Sequence, residues 1–349
     1  MENVVVIVNE AGAPIATSTE SSVRHTDPPA PIAPPPPPPP APVAPAPTQA
    51  QVKPAALFAA PKPSESAKPK PSAPVVPLPK APEKSEAPTT GGGAAGMGIA
   101  YSPYGPGGSC KDKNAVAADI KKLAGYSVIR LYGTDCKQVA NAIPAAKAAG
   151  MTIFAGVFDI AKAGVQAKEL IDQVNGDWAS ISTVGVGNES VNKGEASPAQ
   201  VVAALGTVKA ALKSAGYSGP VVAPDTFIAM INNPQICQAS DYAAANCHAF
   251  FDPNTSAKDA GKFLKTQQAR VEKACGKKVV ITETGWPTKG SSNGQAIPSA
   301  DNQATAIGSI KSAYKDSPSS IIMFSAFDDA WKKDSADTFN AEKHWGMLG

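Results

Sequence analysis

The chain has 349 residues, 43% of them hydrophobic, and a formal net charge of +3. Residues 1 to 90 hold seven basic and seven acidic side chains, so the small excess belongs to the 259 residues that follow. So weak a charge, with no Lys/Arg cluster interleaved with aromatics and no run near the roughly 18 apolar residues of a membrane span, argues against nucleic acid, an anionic membrane surface or a transmembrane segment.

The first residues, MENVVVIVNE, have a five-residue apolar core, an acid at position 2 and no basic flank, which is not a usable signal peptide. Beyond them, 24 of the 35 prolines fall before Gly91, including Pro34 to Pro40 unbroken. From Asp27 to Pro88 the composition is Pro, Ala, Val, Lys, Ser and Glu, with Phe58 the one aromatic and no period of 2 or 3.6. Such a segment favours solvated polyproline II and buries too little surface to offset ordering entropy. Residues 1–95 are therefore expected to be a disordered Pro/Ala-rich spacer rather than an arm for a proline-binding module, with Gly91 to Gly93 as a flexible joint.

Residues 96–349 make a 254-residue domain, the length of one α/β barrel. Short β-rich runs are predicted at 98–104, 127–133, 151–158, 181–188, 219–225, 242–251, 277–283 and 319–327. Between them lie helical patterns such as Lys113 to Leu123, Cys136 to Ala149, Gly164 to Val174, Pro198 to Gly216 and Ala257 to Cys275. Ser197 and Pro198 read as an N-cap and first helical residue, and Gly150, Gly216 and Gly276 as helix ends. Eight strands strictly alternating with helices predict a (β/α)8 TIM barrel. An open doubly wound sheet would want a Gly-rich phosphate loop after the first strand, and SPYGPGGSC lacks the GxGxxG spacing.

The domain holds only six glutamates, and two of them close predicted strands: Glu189 in ISTVGVGNES and Glu283 in VVITETGWP. A strand-end glutamate alone more often meets solvent or a lysine. In a barrel, however, all strand C-termini converge on one face, so the ends of strands four and seven aim two carboxylates into one cleft, as glycoside hydrolysis requires. Arg130, at the end of the second strand among barrel-wall residues, is placed to keep Glu283 ionised.

In order and spacing, GIAYSPYG, IRLYG, GVGNES, DYAAANCHAFFD, ITETGWPTKG and FSAFDDAWK resemble the fungal cell-wall branch of glycoside hydrolase family 17, the enzymes active on β-1,3-glucan. The resemblance covers residues 96 to 349 and implies a retaining β-1,3-glucanase or glucanosyltransferase, with Glu189 as general acid/base and Glu283 as nucleophile. Two carboxyls about 5 Å apart cannot both ionise freely, so one proton is expected to stay on Glu189. Asn188 resembles the Asn that binds the sugar 2-hydroxyl in related barrels. Tyr101, Tyr132 and Trp286 are expected to offer aromatic faces to glucose rings, ahead of His248, Phe250 and Trp331. His248 reads equally as a buried structural histidine or a cleft residue. Asp328, Asp329 and Lys332 are candidate rim contacts, as are Asp225 and Thr226, and Ser325 stands where many relatives place an acid.

No cofactor or metal is implied, since His25, His248 and His344 are scattered and the cysteines lack CxxC spacing. Cys110 and Cys136 follow strands one and two on the top face, Cys237 and Cys275 precede strands six and seven at the bottom, and Cys247 lies inside strand six. Two sensible pairs point to an oxidising compartment, hence to a secreted cell-wall protein whose true start lies upstream. Asn254-Thr255-Ser256 is a loop sequon, and Asn188-Glu189-Ser190 a second one shielded in the cleft. The expected partner is a β-glucan polysaccharide and the expected state a monomer. A glucanosyltransferase using the same residues and a non-catalytic glucan-binding wall protein are the rival readings.

Overall fold

The structure, a computed structural model, describes residues 3–8, 14–20 and 96–348. Near the N-terminus, Asn3–Val8 pairs antiparallel with Pro14–Glu20, Val4 opposite Thr19 and Val6 opposite Thr17. The sequence reading treated that apolar run as one failed leader and saw no hairpin in it. The expected spacer from Asp27 to Pro88 lies outside the described residues.

All eight expected barrel strands form. They are β1 Gly98–Ala100, β2 Val128–Arg130, β3 Thr152–Val157, β4 Ile181–Val186, a divided β5 of Val221–Val222 and Asp225–Thr226, β6 Ala243–Asn246, β7 Val279–Thr284 and β8 Ile321–Met323. Every neighbouring pair is parallel. The sheet runs β5, β4, β3, β2, β1, β8, β7, β6 and back to β5. Its first half, Val221–Val222, pairs with β4, and its second, Asp225–Thr226, pairs with β6. Only Ala223 and Pro224 part the halves, so one short stretch of chain closes the barrel.

The strands are shorter than the apolar runs suggested. The first stops at Ala100 instead of Tyr104, and the sixth at Asn246 instead of Phe251, where the chain turns through the 3-10 segment Ala249–Phe251. At the top of a barrel the chain leaves the sheet to build loops, so apolar residues beyond the last ladder bond fill the loop layer instead.

Helices α1 Lys113–Lys121, α2 Gln138–Ala148, α3 Ala163–Val174, α4 Pro198–Ser214 and α7 Ala260–Cys275 occupy the expected stretches. The last begins after a 3-10 turn, Ala257–Asp259. Shorter α5 Phe227–Asn232 and α6 Gln235–Ala239, with α8 Ala300–Ala313, complete the set. Ser197 caps α4 in a reciprocal box: its Oγ accepts from Gln200 N at 3.3 Å, and Gln200 Oε1 accepts from Ser197 N at 2.8 Å. Such a cap contributes about 1 kcal/mol. Between sheet and helices, Ile99, Ile129, Ile153, Val184 and Ile281 are fully buried, each worth roughly 1.5–3 kcal/mol against exposure.

Both expected disulfides are present, Cys110–Cys136 and Cys237–Cys275, spanning 26 and 38 residues. In the chain-entropy picture each adds about 3–4 kcal/mol. Cys247 is free and buried, and burial raises its thiol pKa. Alkylation of native protein should therefore leave Cys247 unlabelled, and denaturation without reductant should expose that one thiol; labelling of more would break the pairing.

Gly156 on β3 is a second test. A Cβ there would lie 2.7 Å from Tyr132 Cα and closer still to its carbonyl group, all rigid backbone. Gly156→Ala should cost roughly 1–3 kcal/mol or more, seen as a drop in Tm. Gly206 in α4 faces open space, so Gly206→Ala should raise stability by about 1 kcal/mol through helix propensity.

Candidate active site

Four strand ends supply the central groups: β2 ends in Arg130, β4 leads through Gly187 and Asn188 to Glu189, β6 ends in Asn246, and β7 carries Glu283. Arg130 lies inside the barrel at 2% exposure. Its Nη1 donates to Glu283 Oε1 at 2.9 Å, to the Thr282 carbonyl at 2.7 Å and to Asn246 Oδ1 at 3.3 Å, while Nη2 donates to Asn188 Oδ1 at 2.8 Å. The guanidinium also sits 4.5 Å from the Tyr132 ring centre and 5.3 Å from that of Phe154. A rigid planar fork suits this many fixed acceptors, where a lysine would not.

Glu283 is nearly as enclosed. Besides Arg130, Tyr132 donates its hydroxyl to Oε1 at 2.9 Å, and His248 Nε2 lies 3.2 Å from Oε2. A carboxylate can only accept, so that Nε2 carries the proton. Burial by itself drives the Glu283 pKa upward, but the Arg130 charge and the bonds from His248 and Tyr132 outweigh it. They bring the carboxyl down to about 2 from its ordinary 4.5. Tyr132 is pushed the other way, chiefly by burial, and stays a proton donor.

Glu189 has the opposite environment. Burial first, and then the charge of Glu283, raise its pKa. Asn246 Nδ2 donates to Glu189 Oε1 at 2.9 Å, and Lys193 Nζ stands 3.9 Å from Oε2. The Asn246 amide is oriented by the Thr282 hydroxyl, which donates to its Oδ1 at 2.8 Å. The backbone at Glu189 is left-handed, φ 58°, an uncommon conformation for a side-chain-bearing residue, held by its N–H donating to the Pro224 carbonyl at 3.0 Å. Two carboxyls, joined through one asparagine and one arginine, thus favour opposite protonation states.

Asn188, Tyr132 and His248 join this cluster, Tyr132 through its hydroxyl on Glu283 and its ring on the Arg130 guanidinium. Tyr101 and Trp286 do not. Ala100 is in register with Arg130, so the next residue, Tyr101, faces the helices, where its hydroxyl donates to Asp119 Oδ2 at 2.9 Å. Trp286 is 0% exposed, packed on Phe250 with its Nε1 donating to the Ile297 carbonyl at 3.0 Å. A strand-end position alone does not say which side of the wall a residue faces. Phe250 is likewise core.

Asp328 accepts from Gly346 N at 2.8 Å, and Lys332 pairs with Asp329 and Glu342 at 3.3 and 3.6 Å. Trp331 donates to Asp329 Oδ1 at 3.0 Å and meets Tyr104 edge-on at 4.9 Å. Ser325 is buried, donating to the Phe327 carbonyl. Asp225 is no rim contact: its carboxylate accepts from Val191 N and Asn192 N, fixing the loop after Glu189. Thr226 bonds Asn192 Oδ1 and caps α5. Asn246 is the residue missed from sequence. Its signal was an amide in an otherwise Ala-rich strand, AAAN.

A closed parallel barrel whose C-terminal mouth holds a linked carboxyl pair, Glu283 buried and Glu189 half-buried, defines a glycoside-hydrolase type of site. The chain belongs to the BtgE/BtgC glycoside hydrolase domain family, whose model matches residues 98–346. The cell surface mannoprotein MP65 of Candida albicans is 49% identical over 265 residues, covering 74% of this chain and 68% of its own. The probable family 17 glucosidase SCW10 of Saccharomyces cerevisiae is 49% identical over 259 residues, covering 72% and 64% respectively. The resemblance to family 17 read from the motifs therefore holds. This chain spans about two thirds of the length of those relatives. Among solved structures, a family 17 β-1,3-glucanosyltransferase from Rhizomucor miehei superposes with TM-score 0.62 at 22% identity, covering 72% of this chain and 92% of that one. An endo-laminarinase from Formosa gives 0.60 at 18%, covering 74% and 84%. At such identities the likeness shows the fold, a (β/α)8 barrel. Among the described residues no helix is long and apolar enough to cross a membrane.

The depressed Glu283 pKa has a consequence for acid stability. A carboxyl whose folded pKa lies below its unfolded value stabilises the fold above about 4.5 and ceases to do so as pH falls through about 2. Glu189, with a raised pKa, acts in the opposite sense. Wild-type protein should lose stability between pH 4.5 and 2, and Glu283→Gln should lose clearly less across that window in chemical denaturation at stepped pH. Equal slopes would show that Arg130 does not hold Glu283 ionised.

Proposed function

We propose that this barrel is a retaining glycosidase acting on β-1,3-glucan of the fungal wall, with Glu283 as nucleophile and Glu189 as general acid and base. The observation that carries the reading is the opposed protonation preference of the two linked carboxyls, one buried and one half-buried. In the first step Glu189 gives its proton to the leaving glycosidic oxygen while ionised Glu283 attacks the anomeric carbon, forming a glycosyl ester. Transfer of negative charge out of Glu283 lets Glu189 ionise, and it then takes a proton from the incoming water. With Asn188 Oδ1 held by Arg130 and Asn246, its Nδ2 is left to donate to the sugar 2-hydroxyl. Tyr132 and His248 fix the two oxygens of the nucleophile, and Asp328 and Lys332 stand as outer contacts for glucan hydroxyls.

The glucosidase and glucanosyltransferase names among similar proteins support the substrate class. Two disulfides and the cell-surface name of one relative support secretion to the wall, where the chain acts as a monomer. A purely glucan-binding module is the weaker reading, since binding sugar gives no reason to link two mutually repelling acids in one cleft.

Stereochemistry tests the reading. Proton NMR of a fresh digest of a β-1,3-glucan oligomer should show the β-anomer first, with α growing only by mutarotation; an initial α-anomer would mean an inverting site. Glu283→Ala should abolish turnover. Glu189→Ala should lose on the order of 10²–10⁴-fold on laminarin yet retain glycosylation by aryl glycosides with good leaving groups, which need little protonation.

A further inference from the structure

Between β6 and α7 runs a loop, Phe251-Asp252-Pro253-Asn254-Thr255-Ser256, whose polar groups take no part in the proposed chemistry. Asn254-Thr255-Ser256 fits the acceptor pattern for an N-linked glycan, with no proline in the middle position or directly after it. Pro253 and Asn254 are exposed at the corner of a β-turn: Thr255 N donates to the Asp252 carbonyl at 3.1 Å, and Pro253 supplies the fixed φ that the second turn position favours.

The turn is held firmly. The Asp252 carboxylate accepts from Asn254 N at 3.1 Å and from the Thr255 hydroxyl at 2.6 Å. From the loop after β7, Gln295 N donates to the Pro253 carbonyl at 2.8 Å and Asn293 Nδ2 to the Phe250 carbonyl at 3.1 Å. Among the described residues Asn254 Nδ2 meets only Asp252 Oδ1, at 3.4 Å, and a glycosylated amide keeps one N–H for that contact. Asn188, in the other sequon, is committed: its Oδ1 accepts from Arg130 Nη2 at 2.8 Å and from Asn246 Nδ2 at 3.1 Å, so a sugar on its nitrogen would fill the cleft.

A second observation concerns what a sugar on Asn254 would meet. Phe251, three residues earlier and across the turn, is 42% exposed. Its ring packs on Phe250, Phe339 and Trp345 at centroid distances of 5.6, 6.3 and 5.9 Å, and the rest of it faces solvent. An N-acetylglucosamine has an apolar C–H face that suits such a ring. We propose that Asn254 is a glycosylation site, taking an N-linked oligosaccharide whose first N-acetylglucosamine lies on Phe251. The proposal rests on secretion of the chain, since the secretory pathway supplies the donor, an oligosaccharide linked to a polyprenyl pyrophosphate. Nδ2 bonds to the anomeric carbon, the pyrophosphate leaves with the electron pair of the broken C–O bond, and one Nδ2 proton is lost to solvent. Seated there, the sugar covers a ring that packs with Trp345 beside His248, and so stiffens the wall behind the partner of Glu283.

The test has two readouts on protein expressed through the secretory pathway of a yeast host. After an endoglycosidase has trimmed each glycan to one N-acetylglucosamine, peptide mass spectrometry should find that sugar on Asn254 and none on Asn188. Trimmed wild type should melt about 2–4 °C above Asn254→Gln. That difference should vanish in a Phe251→Ala background and in Phe251→Leu, which keeps an apolar side chain and removes the flat ring. A bare Asn254 in secreted protein with both disulfides formed overturns the site, and an equal difference in all three backgrounds overturns the seat on Phe251. Secreted protein with Cys110, Cys136, Cys237 and Cys275 as free thiols would instead overturn the secretion reading beneath the proposal.

Discussion

The structure turns on the buried ion pair of Arg130 and Glu283, 2.9 Å apart in the mouth of the barrel. Taking both charges out of water costs several kcal/mol per ion, and only good geometry with further hydrogen bonds offsets it. Here the guanidinium finds four acceptors drawn from the ends of β4, β6 and β7. One cation from β2 thereby braces the opposite wall. Its charge keeps Glu283 ionised, and the charge of Glu283, after desolvation, raises the pKa of Glu189. The chemistry proposed for the site follows from that single asymmetry.

Around the pair, loop-holding groups carry as much of the design as the reacting ones. Asp225 spends its carboxylate on the backbone of Val191 and Asn192, which fixes the loop that aims Glu189. His248 is wedged among Phe251, Phe324 and Trp345, so the C-terminal residues of the chain help hold the ring that touches Glu283. These supports explain how a left-handed backbone at Glu189 is tolerated: its neighbours leave it no alternative.

Much of this was legible in the residues because barrel topology converts strand order into proximity. Placing Glu189 and Glu283 at the ends of the fourth and seventh strands suffices to bring them together, and Arg130 follows from its apolar flanks. The disulfides were readable for the same reason, since top and bottom are set by whether a cysteine follows or precedes a strand. What failed was the side of the wall. Tyr101 lies one residue beyond Ala100 and so faces α1, and Trp286 turns into the core; both looked like sugar platforms because aromatic character is shared by core and cleft. Asn246 was overlooked because an amide within a short Ala-rich strand gives no sign of its four partners until register sets it beside Glu283. The hairpin at the N-terminus was hidden by its shortness.

The division of roles between the carboxyls is tested most directly by trapping. A 2-deoxy-2-fluoro-β-laminaribiosyl fluoride slows both steps but keeps an excellent leaving group, so the ester should accumulate, and peptide mass spectrometry should place one glycosyl unit on Glu283. The label should be lost in Glu283→Gln and still form in Glu189→Gln. A label on Glu189, or inactivation with no covalent adduct, would contradict the account in which Arg130 makes Glu283 the nucleophile.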